Sequence, residues 1–471
     1  MTMKDDIGGN SFITHEHPDY IANRDNRRQY GDLYVGGQRF QANSADYLVR
    51  RHKEPNDIYF ERLNRVFYEN YVASIIDWYA ATLFRREPVI QFDGPGENGK
   101  TFFDSFVGDC DRKGTTLTEF YRRQLTQALI QGKSYIVVDF PKSQDPLLSR
   151  AHEDLTGASR AYLADYSADE VVNWSYDEYG ALDWIVLRTS DLRKSSAQEE
   201  VWRRETRWIY YDRENFAIYS SVDLGASKSA PVLTGSGRHA LSAQRRVPVF
   251  EVKVSDGLWL MNKACLLQLE HFNKSNALAW ALTMGLFATP VVYSDREFAQ
   301  IVGESYFIQL GPQDRFGWTE PEGHVYQIAS DNLDRLKTEI YRVCYLMNQV
   351  SGGGAQIHQS GLSKSWDFSV TQEILRVYGD VTKDSMRAVL SSIAEARRDD
   401  LQIDITGLDE FDIQDFGSEI SDAKSLLAMD IPSETLKRQL YKRIALKYFC
   451  DARQDIKTQI ASEIDQALGI R

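Results

Sequence analysis

Between Asp46 and Phe84 apolar side chains recur at helical spacing, with Leu63, Val66, Phe67, Tyr71, Ile75, Trp78, Tyr79 and Leu83 on one stripe and Pro55 as the only break. That pattern predicts a long packed helix. Ahead of it, the first forty residues are polar and rich in Arg, Asp, Asn and Gly, which reads as an extended arm with one short hairpin. After the turn-rich "FDGPGENGK" comes a helix over Leu117 to Ile130, and "KSYIVVDF" then runs apolar like a buried strand. The stretches "EVVNWSYDEYGALDWIVLRTSD", "WRRETRWIYYDRENFAIYSSV" and "VPVFEVKVS" are β-branched and aromatic and are joined by turn signals, so they predict an antiparallel meander.

Helical spacing returns from Asp256 to Gly285, a run about 40 Å long at 1.5 Å per residue. Two or three short strands with Gly and Pro turns follow. "DNLDRLKTEIYRVCYLMNQV" is helical again, with Leu333, Leu336, Ile340, Val343, Cys344 and Met347 on one stripe and Asp331 or Asn332 as N-cap. From Val350 to Phe368 the chain reads as a long flexible loop with three consecutive glycines. Another long helix then carries Ile374, Val377, Val381, Met386, Val389, Leu390 and Ile393, and two or three shorter helices close the chain, one of them capped by Ser433.

At 471 residues the chain predicts roughly three folding units, at about 150 residues each. Its net charge of -13 excludes a protein that wraps tightly around nucleic acid, a task that needs a basic surface. The N-terminus has no apolar signal core, and the most apolar stretch, from Asn276, is broken by Thr, Gly and Pro. Neither a secretion signal nor a membrane span is expected. Cys110, Cys265, Cys344 and Cys450 lie far apart and read as reduced, buried small hydrophobes.

Candidate chemistry is sparse. Gly132-Lys133-Ser134 lacks the glycine five residues earlier that a phosphate loop needs, and it follows a helix instead of preceding one. Ser363 and Lys364 fail the same test. His15 and His17 beside Glu16 and Asp19 lack further metal ligands, as does His358. The acids Asp399 and Asp400, with the run "GLDEFDIQDF", read as a solvated acidic face. Trp174, Trp184, Trp202, Trp208, Tyr210, Tyr211 and Tyr219, interleaved with Arg203, Arg204, Arg207 and Arg213, fit a half-buried sheet better than a base-stacking platform. No catalytic residue, metal or cofactor is expected.

The order of these elements resembles the portal proteins of tailed bacteriophages. The similarity rests on Leu83, Phe84, Arg85, Arg86, Pro88 and Val89 after the opening helices. It rests also on Pro248 and Phe250 before a long helix that carries Gln268, Asn273, Ser275 and Asn276, and on "IPSETLKRQL" near the end. It runs in order from about Asp46 to Leu468, though the first forty residues have no counterpart and the last domain is short.

The resemblance implies an α+β portal fold assembled as a ring of about twelve subunits. Its parts would be an N-terminal arm (1–45), an α/β wing (46–256), a first stem helix (257–285), a small β-containing clip (286–330) and a second stem helix (331–349). A channel loop (350–368), a wing return with a long helix (369–415) and a helical C-terminal crown (416–471) would complete it. Double-stranded DNA would pass weakly and non-specifically along Gln356, Ile357, His358, Gln359, Ser360, Ser363 and Lys364. Lys263, Lys274, Arg335 and Lys337 would line the stem, and Asp295, Arg296, Glu297, Asp314 and Arg315 would dock terminase or neck proteins. Other implied partners are the major capsid or scaffold protein and tail proteins, with no membrane. The location would be the portal vertex of the virion, after assembly in the host cytoplasm. The alternatives are another capsid or neck ring component, or a nucleic-acid enzyme of the packaging machinery.

Overall fold

The computed structural model describes residues 12–94, 97–140, 160–194, 201–223, 229–285, 289–293, 312–319, 323–346, 361–409, 423–429, 433–449 and 454–467. The fold is α+β. Two compact units divide the chain, one formed by Met1–Gly31, Ile76–Asn262 and Gln359–Arg471, the other by Asp32–Ile75 and Lys263–His358.

Among the described residues the first unit holds three sheets. Strands β4 (Val171–Tyr176), β5 (Leu182–Arg193), β6 (Arg203–Asp212) and β7 (Asn215–Asp223) form the expected antiparallel meander, and β8 (Val232–Arg238), which no predicted stretch covers, extends it. Strand β9 (Val249–Lys253) leaves the meander and pairs with β2 (Lys133–Asp139), whose other neighbour is β3 (Tyr162–Ser167). This corrects the expectation that "VPVFEVKVS" continues the meander. Its register sets Phe250 opposite Ile136 and Val252 opposite Ser134, a long-range pairing that local alternation does not encode. A two-stranded sheet pairs β1 (Val89–Asp93) with β12 (Gln402–Thr406). The meander contributes Val171, Ile185, Leu187, Tyr211 and Tyr219 to one apolar cluster with Ile13, Tyr20, Tyr135 and Val249. Trp174 and Tyr211 are buried there and Trp184, Trp208 and Tyr210 half-buried, so these aromatics are core, whereas Trp202 is exposed.

Helix α6 (Leu117–Gln131) shows how sharply a boundary can be written. Thr116 Oγ1 accepts from the Glu119 N–H at 3.3 Å, satisfying an orphan donor of the first turn. At the other end Gly132 adopts φ 83° and its N–H bonds Ala128 O. A Cβ on Gly132 would also stand 3.1 Å from the Trp259 ring, whose Nε1 donates to Ile130 O at 2.9 Å. Lys133 then lies over the rings of Trp174 and Tyr135, at 4.8 and 5.2 Å, and buried Ser134 donates to Gln124 O. All three residues of the "GKS" tripeptide are thus taken up by helix termination and packing.

Several expectations are corrected. Instead of an extended arm with a hairpin, helices α1 (Pro18–Val35) and α2 (Gly37–Ala42) form near the N-terminus, with His17 stacked on Trp174 at 4.1 Å. The single long helix over Asp46–Phe84 is two, α3 (Asn56–Asn64) and α4 (Tyr71–Leu83). Asn70 ends the gap between them by accepting from the Ala73 N–H at 3.0 Å, an N-cap. Helix α5 (Glu97–Gly108) begins inside the turn-rich stretch "FDGPGENGK".

Helix α7 (Leu260–Gly285) lies within the helical run expected from Asp256 to Gly285 and ends where that run ends. Strands β10 (Thr289–Tyr293) and β11 (Arg315–Thr319) pair antiparallel. Helix α8 (Gly323–Val343) begins eight residues before Asp331, so Gly323–Ser330 is helix, and Asp331 lies inside the helix instead of capping it. Helix α9 (Gly361–Arg397) likewise starts early, which makes Gly361–Phe368 helical and not loop. Helices α10 (Glu434–Tyr448) and α11 (Gln454–Ala467) follow, and the Ser433 hydroxyl accepts from the Leu436 N–H at 3.2 Å, the predicted cap. Asp399 is not solvated: its carboxylate is nearly buried and meets Arg397 at 2.8 Å. Cys110, Cys265 and Cys344 are buried thiols, and burial pushes Cys110 and Cys344 up to about 12. Cys450 lies outside the described residues.

Candidate functional site

The residues singled out on α7 are built into its surroundings. Buried Gln268 accepts from the Tyr71 N–H at 3.2 Å and donates to Glu69 O at 2.7 Å. Asn273 accepts from Val49 N–H at 2.8 Å and donates to Tyr47 O at 3.1 Å. Asn276 accepts from Phe67 N–H at 3.1 Å and donates to Phe67 O at 2.9 Å. Each amide thus meets both a backbone donor and a backbone acceptor of the 47–71 segment, supplying from side chains what a neighbouring strand would supply from its own backbone. Ser275 turns inward and donates to Phe272 O.

The four basic stem candidates are not alike. The Lys263 ammonium donates to the Tyr345 hydroxyl and stands 4.2 Å from that ring's centroid. Tyr345 holds a left-handed φ of 62° just past α8, where Leu346 N–H reaches back to Tyr341 O at 2.9 Å, so Lys263 grips the residue that terminates the helix. Lys337 lies 5.5 Å from the centre of the Tyr71 ring. Lys274 is held by Glu270 at 3.0 Å and by Asn332 Oδ1 at 3.1 Å. Arg335 is exposed and makes no ion pair among the described residues. Three of the four are therefore committed to partners within this unit.

His271 is 2% exposed and points Nε2 at Glu69, 3.6 Å away, with the edge of Tyr71 against its ring. Burial pulls its pKa below the ordinary range, with Lys337 pushing the same way and Glu69 and Asp334 opposing. Burial likewise lifts the Tyr71 hydroxyl to about 12, aided by Glu69.

In the predicted docking region, Arg315 is exposed on β11 opposite Tyr293, and half-buried Asp314 precedes it. Asp295, Arg296 and Glu297 lie outside the described residues, as do Gln356, Ile357, His358, Gln359 and Ser360. Ser363 and Lys364 fall in the first turn of α9. No group of three His, Cys, Asp or Glu side chains that could hold a metal occurs among the described residues, and none of their helices is long and apolar enough to cross a membrane.

What sequence reasoning missed is a buried ion pair. Arg62 Nη1 donates to both oxygens of Glu54 at 2.7 and 2.8 Å, with both side chains almost wholly enclosed. Burial alone would raise the Glu54 carboxyl, but the bonds from Arg62 and the Arg51 N–H outweigh it and hold the group below the usual range. The only sequence signal was an Arg on the apolar stripe beside Leu63.

No protein-family model matches the sequence, and no curated protein does. Among solved structures the chain is similar to one described as "Virion of native gene transfer agent (GTA) particle", with 12% identity, a TM-score of 0.41, and coverage of 82% of this chain and 92% of that one. A second, "Neck of empty GTA particle computed with C6 symmetry", is 13% identical with a TM-score of 0.43, covering 84% of this chain and 94% of that one.

Proposed function

We propose that this chain is the subunit of a portal ring, the conduit at one capsid vertex through which double-stranded DNA enters and leaves. The observation that carries the reading is the succession of α7, the antiparallel β10–β11 pair, α8 and the 37-residue α9, which follows the order expected of stem, clip, stem and wing return. A helix of 37 residues spans about 55 Å at 1.5 Å per residue, a length suited to a wall rather than to an enzyme pocket.

The chain acts as a passage, and a separate terminase supplies ATP hydrolysis. The -13 charge discourages adhesion to a passing polyanion. DNA meets Gln356, Ile357, His358, Gln359, Ser360, Ser363 and Lys364, while Arg315 and Asp314, with Asp295, Arg296 and Glu297, face terminase and neck proteins. Arg335 is the stem residue left to meet solvent or DNA.

Negative-stain electron microscopy of the purified chain, alone and with scaffold protein, tests this. Rings of about twelve subunits with a central channel are expected. Hexamers, or monomers that persist with scaffold, would instead assign the chain to another neck or head component.

A further inference from the structure

A cavity of about 70 Å³ opens among Leu48, Arg62, Arg65, Asn276, Ala279, Trp280 and Thr283, all within the Asp32–Ile75 and Lys263–His358 unit. Its lining is unusual for so small a space. Arg62 is 6% exposed, and while its Nη1 is taken by Glu54, its Nε–H is buried with no hydrogen-bond partner. Such an orphaned donor costs about 1–3 kcal/mol when left unmet, and more on a charged group. Arg65 supplies a second guanidinium, half-exposed and 5.9 Å from the Trp280 ring. Thr283 also lines the cavity, but its hydroxyl proton goes to Ala279 O at 2.8 Å, so it bounds the space without donating into it.

We propose that this cavity binds a single tetrahedral oxyanion, a phosphate group. The volume is several times the roughly 10–15 Å³ needed for one water, and it suits a compact anion better than a planar base or a sugar. Arginine forks match phosphate oxygens, and here the buried Arg62 Nε–H lacks a partner while the more exposed Arg65 lines the same cavity. Glu54 neutralises one face of Arg62, while Glu61 meets Arg65 at 3.0 Å on the exposed side, so neither acid lines the cavity itself. The neighbouring stretch Arg50-Arg51-His52-Lys53 is exposed along its whole length and adds positive charge near in sequence to Leu48. The phosphate comes either from solution or from a nucleic-acid backbone.

The test uses the full-length chain and the variants Arg65→Ala and Thr283→Leu, the second filling the cavity while leaving the Arg62–Glu54 pair untouched. Inorganic phosphate is titrated against chloride at matched ionic strength, with phosphorus NMR line broadening and thermal stability as readouts. The expected result is saturable broadening and a rise in Tm with the wild-type chain, reduced at least severalfold in both variants. Equal broadening and equal Tm shifts in all three proteins, or none in the wild type, would overturn the proposal. A second titration with short duplex DNA separates the sources. Competition between duplex and inorganic phosphate, lost in Thr283→Leu, identifies a backbone phosphate, and phosphate binding that duplex leaves unchanged identifies the free ion.

Discussion

The two units are held together by different means. In the unit with the three sheets, backbone pairs with backbone and side chains are free to be apolar: Phe103, Phe106, Phe120, Tyr121, Leu125 and Leu129 are wholly buried. In the unit of Asp32–Ile75 and Lys263–His358, much of the chain between residues 43 and 71 is irregular, and side chains must satisfy its backbone. Gln268, Asn273 and Asn276 do so from α7, and buried Asp32 gathers Arg39, Asn43 and Tyr47 at 2.6, 2.9 and 2.7 Å. Ladders tolerate many sequences, whereas amide braces demand one residue type at one position.

The comparison can be broken at its apolar end first. Phe120→Ala should cost about 4 kcal/mol in chemical denaturation followed by circular dichroism, because a fully buried ring leaves a cavity. Next, Glu54→Ala strands the Arg62 charge and should cost about 3 kcal/mol, whereas Glu54→Leu with Arg62→Met should cost far less. A double variant as damaging as the single one would show that shape rather than charge matters there. Gln268→Leu removes partners from one N–H and one C=O, for a loss of about 2 kcal/mol and faster hydrogen exchange at the Tyr71 amide. Unchanged exchange would refute the brace.

The smallest expected effect is on pH. The folded His271 pKa lies below its unfolded value, so the unfolded chain takes up the proton first. Its neutral form contributes fully above about pH 6.5, and stability falls as pH drops below that toward the lower folded pKa. His271→Gln should flatten that part of the pH–stability curve, with Glu69, Lys337 and Asp334 left in place.

Legibility followed locality. Helix α6 was readable to within one residue because cap, stripe and terminating glycine all lie in the sequence next to it, and α7 was readable from its length. The polar look of α1 concealed a helix because its inward positions include Arg27, which donates to Ala168 O at 2.9 Å, alongside Tyr20, Tyr30 and Leu33. The break at Arg65–Asn70 was hidden because Val66 and Phe67 extend the apolar stripe through it. Of the candidate site, Gln268, Asn273 and Asn276 were visible as residues, but their bonds span some 200 positions of sequence, which no local spacing discloses. The cavity beside Arg62 was out of reach for the same reason.

The long helix α9 carries a buried glycine, Gly379, in ordinary helical backbone. Its role is space: a Cβ there would stand 2.0 Å from the carbonyl oxygen of Leu408. Three residues before it and four after, Arg376 and Lys383 reach toward Asp409 at 3.5 Å, tying the same crossing segment down. A saturating library of variants would therefore show a column at Gly379 in which even alanine, the best of helix formers, is rejected. That position offers a marker by which diverged relatives could be aligned when little else in their sequences agrees.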